Sequence, residues 1–338
     1  MSIEINASKG IRQNTTEVTK IPVGTTAQRP ASPQAGMIRF NTDDGRVEAY
    51  DPDLEEWRGV NELFASVQAT GGTVTEFETF DGVRYRVHTF TSDGTFEVTS
   101  NPLVQAVEYL VVAGGGGGSW GAGGAGGYRS SVIGESSGGG ASAEPILGVS
   151  AGSYPVTVGA GGAGNTSLNA GTSGSNSVFG PITSIGGGGS GANLQPGASG
   201  GSGGGGTNTG GSSTGTTGQG FGGGAGGSAG GGGGGAGSAG IDGDGNGGNG
   251  GAGVISSITG TATGYAGGGG GGTRDGGTAG VATNGGGAGC STNSCVAESG
   301  VANTGGGGGG ANFSTSGNVS GTGNAGGSGI VIVRYRIG

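Results

Sequence analysis

The residues of this chain that could do chemistry are few: one histidine, two cysteines and some scattered acids. His88 sits in VRYRVHTF between arginines, with no Ser, Cys or Asp ordered around it as a nucleophile–base–orienter relay requires, so it reads as structural or solvent-facing. Asp43–Asp44 and Glu55–Glu56 pair carboxylates, as glycoside hydrolysis does. Adjacent acids in turns are ordinarily solvated, however, and no groove-bearing sheet scaffold is implied. Asp242, Asp244 and Asn246 begin as calcium loops begin, with oxygen ligands on alternate residues. Val254 and Ile255 stand where the closing Glu is needed, and Gly-Asp-Gly-Asn is also an ordinary polar turn. Strings of GxGxxG arise from composition alone and lack the strand-then-helix setting of a dinucleotide site. The expectation is a non-enzyme without a cofactor, calcium on those three residues being the alternative.

Cys290 and Cys295 flank the loop GCSTNSCV, where a local disulfide forms if the protein meets oxidising surroundings. Trp120, Tyr128, Phe221, Tyr265 and Phe313 are scattered through glycine. Their rings could take a sugar, or could pack the base of the structure or an oligomer seam; the packing role is the expectation.

The elements that must position these residues follow from where composition breaks. Nine of the 98 glycines precede Leu110, where 16 of the 22 acids and 9 of the 13 basic residues also lie. Beyond Val111 the apolar side chains are too sparse for an ordinary core. The net charge of −9 and only two lysines, Lys9 and Lys20, argue against nucleic acid. MSIEINASKG does not read as a secretory signal, and no stretch is apolar enough to enter a membrane as a helix.

Alternation through Met37–Phe40 and Val47–Tyr50 around Asn41–Gly45 predicts a β-hairpin, with Trp57 over one face. So small a hairpin needs a partner, and self-association supplies one. Val83, Tyr85 and Val87 alternate in a second strand, and Ser92–Gly94 turns into a third at Thr95–Thr99. Val107–Ala113 is apolar nearly throughout, which predicts burial on both faces. A last strand, Ile330–Tyr335, brackets the glycine-rich region, placing first and last strands in one sheet or sandwich. Inside the region a short strand repeatedly runs into a glycine tract, as in YPVTVGAGG and PITSIGGGG.

Ordering glycine is entropically expensive. Without side chains, though, extended threefold helices can pack backbone against backbone and pair between helices the groups that each leaves unpaired. A bundle of polyglycine II helices is therefore expected, its Asn, Thr and Ser turns free to vary as binding loops. Candidate loops are 165–176, 193–199, 242–249, 290–303 and 312–324, with contact candidates Asn193, Leu194, Gln195, Asn293, Ser294, Asn312 and Phe313.

GTTAQRPASPQAGMIRFNTDDGRVEAYD, followed by Trp57, resembles a segment recurring in bacteriophage virion proteins. YLVVAGGGGG, SYPVTVGAGG and GGSGIVIVRY, in that order, resemble the glycine-rich domain of phage tail fibres and adhesins. The resemblance spans all but about the first 23 residues and parts of the glycine loops. It implies a homotrimeric fibre or adhesin subunit, made in the host cytoplasm and carried on the virion tail. Residues 1–60 would meet other tail or baseplate proteins, and a distal part would meet host polysaccharide or an outer-membrane protein. A tail appendage that binds no receptor, and a glycine-rich ice-binding or cell-surface protein, are the competing readings. The expected organisation is an extended arm (1–36), a hairpin module for attachment and trimerisation (37–60), the strands of a sandwich-like base (61–113), the glycine-rich region (114–328) and a closing strand (329–338). The fold class is mainly β.

Overall fold

The computed structural model describes residues 3–6, 10–13, 21–52, 55–60, 66–165, 169–274, 276–292, 295–313 and 322–337. The chain divides into two compact units, Met1–Ala65 and Ser66–Gly338.

In the first unit, β1 (Ile3–Asn6) and β2 (Gly10–Gln13) form an antiparallel pair where an extended arm was expected. The hairpin of β4 (Ile38–Asn41) and β5 (Arg46–Asp51) has the expected turn and gains two partners from its own chain. β3 (Val23–Gly24) joins β4 in parallel, and β6 (Glu56–Gly59) joins β5, so part of the arm is built into the sheet. Trp57 lies within β6 opposite Tyr50, their rings 5.8 Å apart, and the Arg39 guanidinium lies 6.0 Å from its ring centroid, so it covers one face of the hairpin. One face of this sheet buries Glu48, which accepts from Arg29 at 2.6 Å and from Asn41 at 3.1 Å, with Arg39 at 3.6 Å. The Arg29 hydrogen bond holds the Glu48 carboxyl below the usual carboxylate range against the opposing effect of burial.

The second unit is mainly β, built on a two-sheet sandwich. Its strands are β7 (Gln68–Thr70), β8 (Thr73–Glu78), β9 (Arg84–Phe90), β10 (Gly94–Ser100), β11 (Ala106–Val112), β12 (Tyr128–Ser130), β13 (Leu147–Gly148), β14 (Gly152–Thr157), β15 (Ser177–Phe179), β16 (Ile182–Ser184), β17 (Val254–Ser256), β18 (Thr263–Tyr265) and β19 (Ile330–Arg336). One sheet runs β16-β15-β14-β10-β7, and the other runs β12-β11-β19-β9-β8 with β13 also on β11. Two short connections switch sheets, whereas β8 and β9 pair as a hairpin within one. Gly71 and Gly72, at φ +108° and +62°, carry the chain from β7 to β8, and Ser92–Gly94 carries it from β9 to β10. The last strand, β19, is central, hydrogen-bonded to β11 on one side and β9 on the other.

Burial of β11 on both faces has a specific cause. Tyr109 and Val111 point into the sandwich core with Phe96, Val156, Phe179 and Val333. Leu110 and Val112 point the other way, onto Ala125, Ala236, Ile258 and Ala266 of the glycine-rich region. The sheet is the floor on which that region stands.

The region itself is a bundle of polyglycine II helices, and the hydrogen bonds of the first tract show the threefold geometry directly. N–H groups of Ala113, Gly116 and Ser119 donate to Gly127, Gly124 and Gly121. Those of Gly114 and Gly117 donate to Ser175 and Thr172, and those of Gly115 and Gly118 to Gly327 and Asn324. Every third amide thus serves the same neighbour, three residues further back, at 2.8–3.0 Å. The carbonyls repeat the rule in three other directions. Gly114 and Gly117 accept from Gly187 and Ser190, Gly115 and Gly118 from Gly162 and Asn165, and Gly116 and Ser119 from Gly308 and Ala311. One tract is therefore ringed by six others, with its backbone groups satisfied between helices.

This contact distance explains the composition. A Cβ added at Gly114, Gly116, Gly117, Gly123, Gly233 or Gly271 would come closer than 3.0 Å to backbone atoms of a neighbouring tract. Ala113, Ala122, Ala125, Ala236 and Ala266 are buried as well, and three of them lie in the apolar layer against the sheet.

Candidate functional site: the loop end of the bundle

Direction along the tracts sorts the turns into two ends. β11 releases the chain at the sheet; it runs out through 113–119, reverses at Ser119–Gly121 and returns to the sheet at Tyr128. Trp120 therefore marks the end remote from the sandwich. Gly272 N–H donates to the Trp120 carbonyl, Ala311 N–H to Ser119, Asn165 N–H to Gly118 and the Ser119 hydroxyl to Gly191, so four more segments reach this level. Further bonds add others: Thr207 to Gln195, Gly230 to Gly272, Gly247 to Thr278 and Thr273 to Cys290. All five candidate loops proposed from sequence turn or begin at this one end, although they are spread over more than half of the glycine-rich region.

The contact candidates fare differently. Asn193, Leu194 and Gln195 are exposed at the crest of their loop. Leu194 is 53 % exposed in the left-handed region, at φ +60°, and the neighbouring loop is tied in by Asn208 Nδ2 donating to Asn193 Oδ1 at 3.3 Å. Asn293 and Ser294 lie outside the described residues. Asn312 does not present its side chain outward: it is 1 % exposed and donates from Nδ2 to Thr273 Oγ1 at 3.1 Å. A buried amide needs such a partner, which makes Asn312 a brace between two loops.

Phe313 is half-buried and stacked on Trp120, ring centroids 4.5 Å apart and planes 18° apart. Arg274 lies over the same Phe313 ring with Cζ 5.6 Å from its centroid, and the Phe313 amide donates to the Thr273 carbonyl. The aromatics thus divide. Tyr128 and Tyr265 pack against the sheet at the base, whereas Trp120 and Phe313 meet at the loop end. Reading the sequence did not single out Arg274. A signal existed, since it is the one basic residue between Arg129 and Arg334.

Asp242, Asp244 and Asn246 form a tight turn with Gly245 at φ +72°. Asp242 Oδ1 accepts from Ala225 N–H at 2.7 Å and Asn246 Oδ1 from Thr278 N–H at 2.8 Å. Two of the three candidate ligand oxygens therefore pin neighbouring tracts in different directions, and no group of three or more His, Cys, Asp or Glu residues clusters among the described residues. Cys290 and Cys295 are joined by a disulfide, with Cα atoms 5.8 Å apart, closing the loop beside Thr273.

His88 is fully buried in the sandwich, far along the fold from the loops. Its Nδ1 lies 2.8 Å from the Gly71 carbonyl and its Nε2 lies 3.0 Å from the Tyr335 hydroxyl. Nδ1–H therefore donates to the carbonyl, and in the neutral ring Nε2 accepts from the Tyr335 hydroxyl. Burial, aided by the nearby Arg86 charge, pushes its pKa down against the Gly71 bond.

Residues 91–336 match the family model described as a glycine-rich domain. No curated protein matches the chain. With the match covering most of its length, including the sandwich strands from β10 onward and the whole polyglycine bundle, the chain belongs to the glycine-rich domain family.

Proposed function

We propose that this chain is a phage tail-fibre or adhesin subunit, without enzymatic activity, that recognises a host surface through the loop end of its polyglycine bundle. The observation that carries the reading is the gathering of polar, sequence-irregular loops on one end of a scaffold held by backbone contacts. Side chains at the crest of such a loop, as at Asn193–Gln195, are exposed and outside that packing, so they are free to diversify for recognition. The first strand of this unit, β7, and its last, β19, both belong to the sandwich, opposite the loop end of the bundle.

Attachment and trimerisation fall to the first unit in this reading. With Glu48, Arg39 and Asn41 turned to one face of its sheet, the other carries Val23, Ile38 and Val47, which are 66 %, 47 % and 36 % exposed. An apolar face on so small a sheet suits association with further copies and with tail proteins.

The test is adsorption of fluorescently labelled full-length protein to a panel of bacterial strains, with and without competing surface polysaccharide or outer-membrane extract. Saturable, competed adsorption to some strains is expected, together with loss on grafting a Gly-Ser loop over 193–195. Assembled protein that adsorbs to no strain would remove the adhesin reading and leave a tail appendage without a receptor. Sedimentation as a monomer at micromolar concentration would remove the trimer.

A further inference from the structure

We propose that Arg274, mounted on the Phe313–Trp120 ring pair, binds an anionic group of a surface saccharide, either a carboxylate or a phosphate. The inference rests on the adhesin reading and names the ligand chemistry for its loop end.

Charge placement is the first support. In a chain of net charge −9, every other described arginine of the second unit stands on a strand of the sandwich sheets. Arg84 and Arg86 pair with Glu76, Arg129 with Glu144 and Arg334 with Glu108, while Arg336 packs on Tyr85. Arg274 alone stands at the loop end, and among the described residues no carboxylate oxygen lies within 4.0 Å of it.

The second support is that donors are left without acceptors. Arg274 Nε and Trp120 Nε1 are both buried with no hydrogen-bond partner among the described residues, and Trp120 is only 3 % exposed. Buried donors are ordinarily paired, so the orphan Nε marks a guanidinium short of acceptor atoms, and because Arg274 is only half-buried its remaining nitrogens are the part that a ligand meets. An oxyanion supplies acceptors and charge together, and guanidinium geometry fits carboxylate and phosphate alike.

The third support is rigidity. Trp120 is the turn of the central tract pair, Phe313 is fixed on it, and Thr273 beside Arg274 is held by Asn312 and by the Cys290 carbonyl. A long flexible cation is thereby held over a ring, which lowers the ordering entropy lost on binding.

Calorimetric titration of the full-length protein with three probes tests this: a uronic-acid oligosaccharide, a phosphorylated lipopolysaccharide core oligosaccharide and maltohexaose. At least one acidic probe is expected to bind, more weakly as salt rises, with maltohexaose at least about tenfold weaker. Arg274→Gln should weaken the acidic probe about tenfold, the worth of a charge-assisted hydrogen bond, while Arg274→Lys keeps part of the affinity. The two acidic probes separate carboxylate from phosphate. Equal binding by wild type and both variants, or maltohexaose bound as tightly as the acidic probes, overturns the proposal. If wild type and Arg274→Gln adsorb equally to a strain and neither acidic probe binds, this site fails and the adhesin reading stands. Absence of wild-type adsorption to any strain removes the adhesin reading itself.

Discussion

At the scale of single residues, what a position tolerates here is set by backbone neighbours rather than by side-chain chemistry. Gly116 and Gly211 make the contrast. A Cβ at Gly116 would collide with the Gly188 and Gly189 backbone, whereas at Gly211 nothing lies within 4 Å. Gly116→Ala should destabilise by about 1–3 kcal/mol or more, as overpacking does. Gly211→Ala should be neutral or stabilising by up to about 1 kcal/mol, because it removes freedom from the unfolded chain. Urea unfolding of the two variants checks both; equal effects would contradict the close tract spacing. His88 gives a second residue-scale prediction. Its folded pKa lies below the ordinary value of 6.5, so the unfolded chain takes up the proton first as pH falls. Stability is then full above about pH 6.5 and declines below it, with a slope of at most about 1.4 kcal/mol per pH unit. His88→Gln, which cannot titrate, should lose that slope between pH 6.5 and 5 while keeping a lower, flatter stability. A wild-type slope that survives in the variant would assign it to other groups.

At the scale of elements, β19 is the piece on which the rest depends. It separates β11 from β9 and places Ile332 against Leu110 and the bundle, fully buried. Ile332→Ala should cost about 2–5 kcal/mol, and Ile133→Ala, at a position 74 % exposed, within about 0.5 kcal/mol. Thermal melts of the pair decide whether β19 closes the fold as described. These strands were legible because their side chains carry the pattern: alternation in β9, and the continuous apolar runs of β11 and β19 that two buried faces require. The short strands before the glycine tracts were legible for the same reason, as β14, β16, β17 and β18 show. Sheet switching at Gly71–Gly72 and at Ser92–Gly94 was not, because a turn sequence does not say whether its strands pair or diverge. Register among the tracts was equally hidden. A glycine has no side chain to choose a neighbour, so partners as distant as Gly115 and Gly327 follow from where the strands and loops release the chain. The same blindness separated the site residues. Trp120, Arg274 and Phe313 come together only once three tracts are stacked, and Asn312 resembled an exposed loop amide until Thr273 was placed beside it.

At the scale of the whole molecule, the second unit divides its stabilisation between two kinds of contact. The sandwich buries Phe, Tyr, Val and Ile in the ordinary way, and Leu110, Val112, Ile258 and Tyr265 extend that burial to the floor of the bundle. Beyond that floor the tracts are held by interhelical N–H···O bonds and close backbone packing. The heat capacity of unfolding reports this division, since exposing apolar surface raises it and exposing peptide groups lowers it. Calorimetry should therefore give, for Ser66–Gly338 within the full chain, a heat-capacity increment clearly below the usual ~12–15 cal/mol/K per residue. The transition should still be cooperative, because each inner tract is bonded to several neighbours and cannot leave alone. Limited proteolysis supplies the matching observation: a fragment beginning near Ser66 and reaching the C-terminus should persist, with cuts concentrated before it. An ordinary increment per residue would mean that apolar burial carries the bundle after all. Rapid digestion of the glycine-rich tracts would mean that the backbone lattice does not hold in solution, and the loop end would then lose the rigid support that the proposed recognition role requires.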